Sequence, residues 1–125
     1  MTYKNINISD SELEVMKVIW KAKKPVTSLD IVEAFDGKGW KKTTIGTFLT
    51  RLVEKGALSA QKQGKLYYYT PLVSQKDYRR YQTKSLISSL YGGSIKDFAV
   101  SLFEEQSISD EELEELKAIF VEKEV

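Results

Sequence analysis

Apolar residues follow a helical spacing in three successive stretches, switch to alternation around residues 57–70, and return to helical spacing for the remainder of the chain. In the first stretch Leu13, Met16, Ile19 and Trp20 share one face. They follow Ser9-Asp10-Ser11-Glu12, the capping-box form in which serine and glutamate each satisfy an otherwise unpaired backbone N–H. This predicts a helix from Ser9 to about Lys23, closed by Lys23-Lys24-Pro25 because proline disfavours helical geometry in the residue before it. A second helix follows, capped by Thr27 or Ser28, with Leu29, Ile31, Val32, Ala34 and Phe35 as its apolar content. Asp36-Gly37-Lys38-Gly39 then forms a turn before Trp40. The third helix runs from near Lys42 to Lys55, with Ile45, Phe48, Leu49, Leu52 and Val53 on its inner face and Gly56 as the stop.

After Gly56 the residues Ala57, Leu58 and Ala60 lead through Lys62-Gln63-Gly64-Lys65 to Leu66, Tyr67, Tyr68, Tyr69 and Thr70. This is the pattern of a hairpin that turns at Gly64 and ends at Pro71. Ser74-Gln75-Lys76-Asp77 opens another helix, expected to reach Tyr91, where Gly92-Gly93 breaks it. Ser94 then caps a helix whose Ile95, Phe98, Ala99, Leu102 and Phe103 form an apolar stripe. Ser109 caps a last one with Leu113, Leu116, Ile119 and Phe120 inside. The prediction is a mainly α fold with a small β-hairpin: a winged helix-turn-helix domain over residues 1–73 and a helical domain over 74–125.

The outer face of the third helix carries Thr43, Thr44, Thr47, Thr50 and Arg51. Threonine is a poor choice for a merely solvated helix, since its branched Cβ costs roughly 0.5 kcal/mol against alanine. It offers a hydroxyl for phosphates or base edges and a methyl for thymine, and Thr44, Thr47 and Arg51 share one side at i, i+3 and i+7. Lys62 and Lys65 flank the hairpin tip, where a wing reaches the sugar-phosphate backbone.

Charge sharpens this division. The net charge is only +1, but residues 1–82 hold 15 Lys and Arg against 8 Asp and Glu, or +7, whereas residues 83–125 hold 4 against 10, or −6. The basic part is suited to phosphate, and the acidic part would be repelled from a duplex and belongs away from it. Short helices with uncovered apolar stripes are marginal alone, so homodimerisation through Phe98, Leu102, Phe103, Leu113, Leu116 and Phe120 is expected; a two-fold dimer also presents two recognition helices to a palindrome. Cysteine and histidine are both absent, which removes disulfides, thiolate metal sites and the usual nucleophiles and general bases. The remaining polar residues form no recognised catalytic pattern, so neither an enzyme nor a cofactor or metal site is expected. No apolar run of membrane-spanning length and no signal-like N-terminus is present, and the expectation is a cytoplasmic protein. Two other functions fit the same elements. One is a winged-helix regulator released from DNA by a small ligand in a pocket of Tyr67, Tyr68, Tyr78 and Tyr81, and the other is a winged helix used only for protein contacts.

Taken in order, Ser9 to Met16 with Trp20, then Thr43-Thr44-Ile45-Gly46-Thr47-Phe48-Leu49-Thr50-Arg51-Leu52-Val53-Glu54-Lys55-Gly56, then Gly64-Lys65 and Tyr69-Thr70-Pro71, the chain resembles the penicillinase and methicillin-resistance repressors (BlaI/MecI/CopY family). The resemblance implies a homodimeric winged-helix repressor that binds a double-stranded dyad operator and silences genes for β-lactam resistance or copper handling. The copper branch carries a C-terminal cysteine cluster, absent here, so the β-lactam branch is the nearer one. In that branch a membrane sensor acylated by antibiotic leads to proteolysis of the repressor tail, and the matching position is Ser101-Leu102, where staphylococcal members carry Asn-Phe. The resemblance further implies base contacts from Thr44 and Thr47, a phosphate contact from Arg51, a matching wing at Lys62 and Lys65, and packing roles for Trp40 and Leu49, while Thr43 stands where those members carry lysine. With the neighbouring Thr43 added to the base contacts and Lys42 to the phosphate contacts, the expected interface is Thr43, Thr44 and Thr47 on bases and Lys42, Arg51, Lys62 and Lys65 on phosphates.

Overall fold

The computed structural model describes residues 6–104 and 108–124, with side chains for all of these except 120 and 122–124. Its elements run α1 (Asp10–Ala22), β1 (Val26–Thr27), α2 (Ser28–Ala34), α3 (Lys42–Glu54), β2 (Leu58–Gln63), β3 (Leu66–Pro71), α4 (Gln75–Tyr91), α5 (Ile95–Glu104) and α6 (Asp110–Glu124). The helix starts follow from local chemistry. The Ser9 hydroxyl accepts from Glu12 N–H at 3.2 Å while the Glu12 carboxylate accepts from Ser9 N–H at 3.0 Å. Thr27 and Asp30 repeat the same reciprocal pair for α2. Ser74, Ser94 and Ser109 cap α4, α5 and α6 by accepting from the backbone N–H three residues on.

α3 ends where Gly56 adopts φ +84°. Gly56 N–H donates to Val53 O and Ala57 N–H to Leu52 O, closing the last turn with Ala57 folded inward against the core. The chain then enters β2, turns through Gly64 at φ +65° and returns as β3, with Leu58 opposite Pro71 and Gln63 opposite Leu66. A two-residue loop with glycine first matches the right-handed twist of the strands it joins. One strand was not anticipated. Val26 and Thr27, of which only Thr27 had a reading from sequence, as a candidate cap, pair antiparallel with Tyr69 and Tyr68, giving a three-stranded sheet in the order β1-β3-β2.

The chain divides into two compact units, residues 1–81 and 82–125. In the first, Val15, Met16 and Ile19 of α1, Ile31 of α2, and Ile45, Leu49 and Leu52 of α3 pack with Val26, Ala57, Leu58, Val73 and Tyr78 in one core. Leu13 and Trp20, expected inside, are only partly buried against it, whereas Val15 is fully enclosed. Trp20 Nε1 donates to Val73 O at 2.9 Å and its ring lies 5.9 Å from that of Tyr78, so the first turn of α4 is pinned to the core. Glu12 is 2% exposed and bonds to Lys55 Nζ, which also donates to Asn7 O at 2.6 Å. This ties the start of α1 to the end of α3. In the second unit none of the described residues is fully buried.

Candidate nucleic-acid interface

Three aromatic rings set where α3 begins. Trp40 packs at a tilt 4.9 Å from Phe35 at the end of α2 and edge-on 5.2 Å from Phe48 within α3, and Lys38 lies 5.0 Å over the Trp40 ring while pairing with Glu14 at 2.9 Å. α3 is thus held at its entry by packing. Its hydrogen-bonding ends differ from those of its neighbours. Among the described residues, α3 alone starts without a side-chain cap: Lys41 holds the cap position and makes no capping bond. The N–H groups of Lys42, Thr43 and Thr44 precede the first intrahelical bond, Ile45 N–H to Lys41 O at 3.1 Å. Donors at the positive end of a helix dipole suit an anion such as a phosphate.

The outer face of α3 presents Lys42, Thr43, Thr47, Thr50 and Arg51 to solvent, with Thr44 half-buried beside them; Ile45, Leu49 and Leu52 point the other way into the core. Two of the threonines are bonded within the helix. Thr47 Oγ1 donates to Thr43 O and Thr50 Oγ1 donates to Gly46 O, both at 3.0 Å. On the hairpin, Lys62 stands opposite Tyr67 with its Nζ 5.9 Å above the ring, and Lys65 occupies the turn; both lysines are exposed. Lys41 joins this basic set as a residue that sequence reasoning passed over, because a lysine is no capping residue and its position only matters once the start of α3 is known.

Charge inside the unit is handled differently. Burial would raise the Glu12 carboxyl, but hydrogen bonds from Lys55 and from the Ser9 N–H, with the Lys55 charge, hold it below its ordinary value. Burial lifts the Tyr78 phenol, opposed by a hydrogen bond with the Ile8 backbone and reinforced by the nearby Glu12 charge. Of the four tyrosines expected around a small ligand, Tyr67 and Tyr68 are consecutive on β3 and so point to opposite faces, and Tyr78 is buried against Trp20.

In the second unit Phe98 packs edge-on against Tyr91 at 5.6 Å, and Ser101 Oγ donates to Phe98 O and accepts from Tyr91 OH at 3.1 Å. Ser101 and Leu102 therefore lie inside a helix, half-buried. Phe103, at 51% exposure, Leu116, at 37%, and the half-buried Leu113 leave the apolar stripes largely uncovered; the side chain of Phe120 lies outside the described residues.

The family described as penicillinase repressor matches residues 8–122. The chain belongs to that family. Its members are transcriptional repressors and not enzymes. The penicillinase repressor of Bacillus licheniformis is 39% identical over 115 residues, covering 92% of this chain and 90% of the relative. The methicillin resistance regulatory protein MecI of Staphylococcus aureus (strain N315) is 34% identical over 124 residues, covering 98% and 100%. The solution structure of the DNA-binding domain of the repressor BlaI is similar to 58% of this chain and 89% of its own, with 42% identity and a TM-score of 0.52, which makes the first unit a winged helix. Both relatives regulate antibiotic resistance, so the penicillinase repressor family places the chain in the β-lactam branch. Among the described residues no helix is long and apolar enough to cross a membrane.

Proposed function

We propose that this family member is a homodimeric repressor that holds a palindromic operator with one α3 per subunit, controls genes for β-lactam resistance, and is inactivated by cleavage in its tail. The observation that carries the reading is the uncapped, threonine-rich α3 with Lys42 and Arg51 on its outer face and the Lys62–Lys65 wing beside it. Phosphate contacts from Lys42, Arg51, Lys62 and Lys65 set affinity and register, and Thr43, Thr44 and Thr47 meet base edges. Residues 1–73 form the DNA-binding part, and 74–125 the dimerisation part. Phe98, Leu102, Phe103, Leu113, Leu116 and Phe120 are the apolar side chains that a second copy covers.

Cleavage between Ser101 and Leu102 requires α5 to open, since a protease needs an extended backbone. In the single chain this ten-residue helix has no fully buried side chain and opens at low cost, so cleavage acts on the copy that is free of its partner and removes the face the partner would cover. The protein then works in the cytoplasm, with a regulatory protease as its second partner.

Selection of bound sequences from a random DNA pool tests the proposal. The expected result is a dyad with half-sites about one helical turn apart or a multiple of it. Binding to it should fall with salt at a log-log slope of roughly −5 for about six neutralised phosphates. An asymmetric single site, or a response flat in salt, contradicts it.

A further inference from the structure

The four threonines on the outer face of α3 are not chemically equivalent. Thr47 and Thr50 donate their hydroxyl protons to the carbonyls of Thr43 and Gly46, four residues back. Each then shows the groove only a γ-methyl and oxygen lone pairs, an acceptor and an apolar contact. Thr43 and Thr44 make no side-chain hydrogen bond among the described residues, so each keeps a proton to donate. Of the two acceptor threonines, Thr47 lies nearer the uncapped start of α3, one turn on from Thr43. It is exposed on the side opposite the buried Ile45, Leu49 and Leu52.

The major groove offers few groups that fit an acceptor beside a methyl. Adenine N6 and cytosine N4 donate, thymine C5 carries a methyl, and the guanine edge shows only the acceptors N7 and O6, which would face the Thr47 lone pairs without a proton between them. An A·T pair supplies both a donor and a methyl; a G·C pair supplies the donor with two opposing acceptors and no methyl. We propose that Thr47 is a specificity-determining residue that selects an A·T pair in each half-site, as hydroxyl acceptor and methyl contact rather than as a donor. The proposal rests on the reading of α3 as the helix in the major groove and goes beyond it by naming the base pair.

Single-atom changes in the operator test it. In one half-site of the selected operator, each thymine is replaced in turn by uracil and each guanine by 7-deazaguanine, and binding is measured for the wild-type chain, Thr47→Ser and Thr47→Val. One uracil position should weaken wild-type binding by about fourfold, the equivalent of one buried methyl. Thr47→Val should keep that sensitivity, since it retains the methyl, and Thr47→Ser should lose it. Circular dichroism of both variants establishes that α3 still forms. The inference is overturned if no uracil position couples to residue 47, or if a 7-deazaguanine position weakens wild type but not Thr47→Val, because the hydroxyl then donates outward to guanine. Arg51→Ala separates the two levels of failure. If it lowers operator and random-DNA binding while no base couples to residue 47, only the A·T assignment falls. If it changes neither and no operator is preferred, the placement of α3 falls too.

Discussion

The two compact units are built from helices of similar length, yet they treat their apolar faces in opposite ways. In the first, α1, α2 and α3 enclose their stripes against one another and against the sheet, with Val15, Met16, Ile31, Ile45 and Leu52 out of reach of solvent. In the second, α5 has an equally regular stripe but leaves Ile95 70% and Phe103 51% exposed. Amphipathic periodicity establishes only that a face needs cover. Whether the cover comes from the same chain depends on how many neighbours the chain can bring to it, and three helices bring fewer than three helices and a sheet.

Substitutions that strike one unit and spare the other test this contrast. Leu49→Ala, which empties a fully enclosed site in α3, should destabilise the first unit by about 3 kcal/mol in urea unfolding at any protein concentration. Leu102→Glu should leave that transition in place and instead convert a two-chain mass to a one-chain mass in sedimentation, because its charge enters the face assigned to the partner. A fall in first-unit stability with Leu102→Glu would mean that the two units are not independent.

A smaller effect is expected at Glu12, the polar clamp of the first unit. Its folded pKa lies below the ordinary carboxylate value, so its contribution is present above the unfolded-state pKa and is lost as pH falls through the folded one. Glu12→Gln should cost about 2 kcal/mol at pH 7 and should flatten the decline in stability that wild type shows on acidification through the carboxylate range. A wild-type and variant profile that run parallel would remove Glu12 from the clamp. The smallest change is at the surface. Arg51→Ala should weaken operator and random duplex alike and reduce the salt slope by about one, measured by titration at several salt concentrations, with the thermal transition unmoved.

Much of the molecule was legible in the sequence where interactions are short-range. The capping box at Ser9, a cap at Thr27 or Ser28, the Gly56 stop and the Gly64 turn act over three to five residues, and each appears where its residues predict, with Thr27 as the second cap and Asp30 completing its box. The outer face of α3 was legible for the same reason, since helical spacing alone separates Thr47 and Arg51 from Leu49 and Leu52. The uncapped start of α3 and the internal bonds of Thr47 and Thr50 were not read, because a threonine hydroxyl has several local partners and its rotamer chooses among them.

By itself, then, the sequence determined the order and kind of nearly all the elements, the split between basic and acidic parts, and the family. Tertiary structure decided the rest. Val26-Thr27 became a strand only because Tyr68 and Tyr69 arrive beside it. Glu12 became a buried anion only because Lys55, 43 residues away, closes over it. Both depend on which distant segments meet, and that is settled when the core packs, not by any residue's near neighbours.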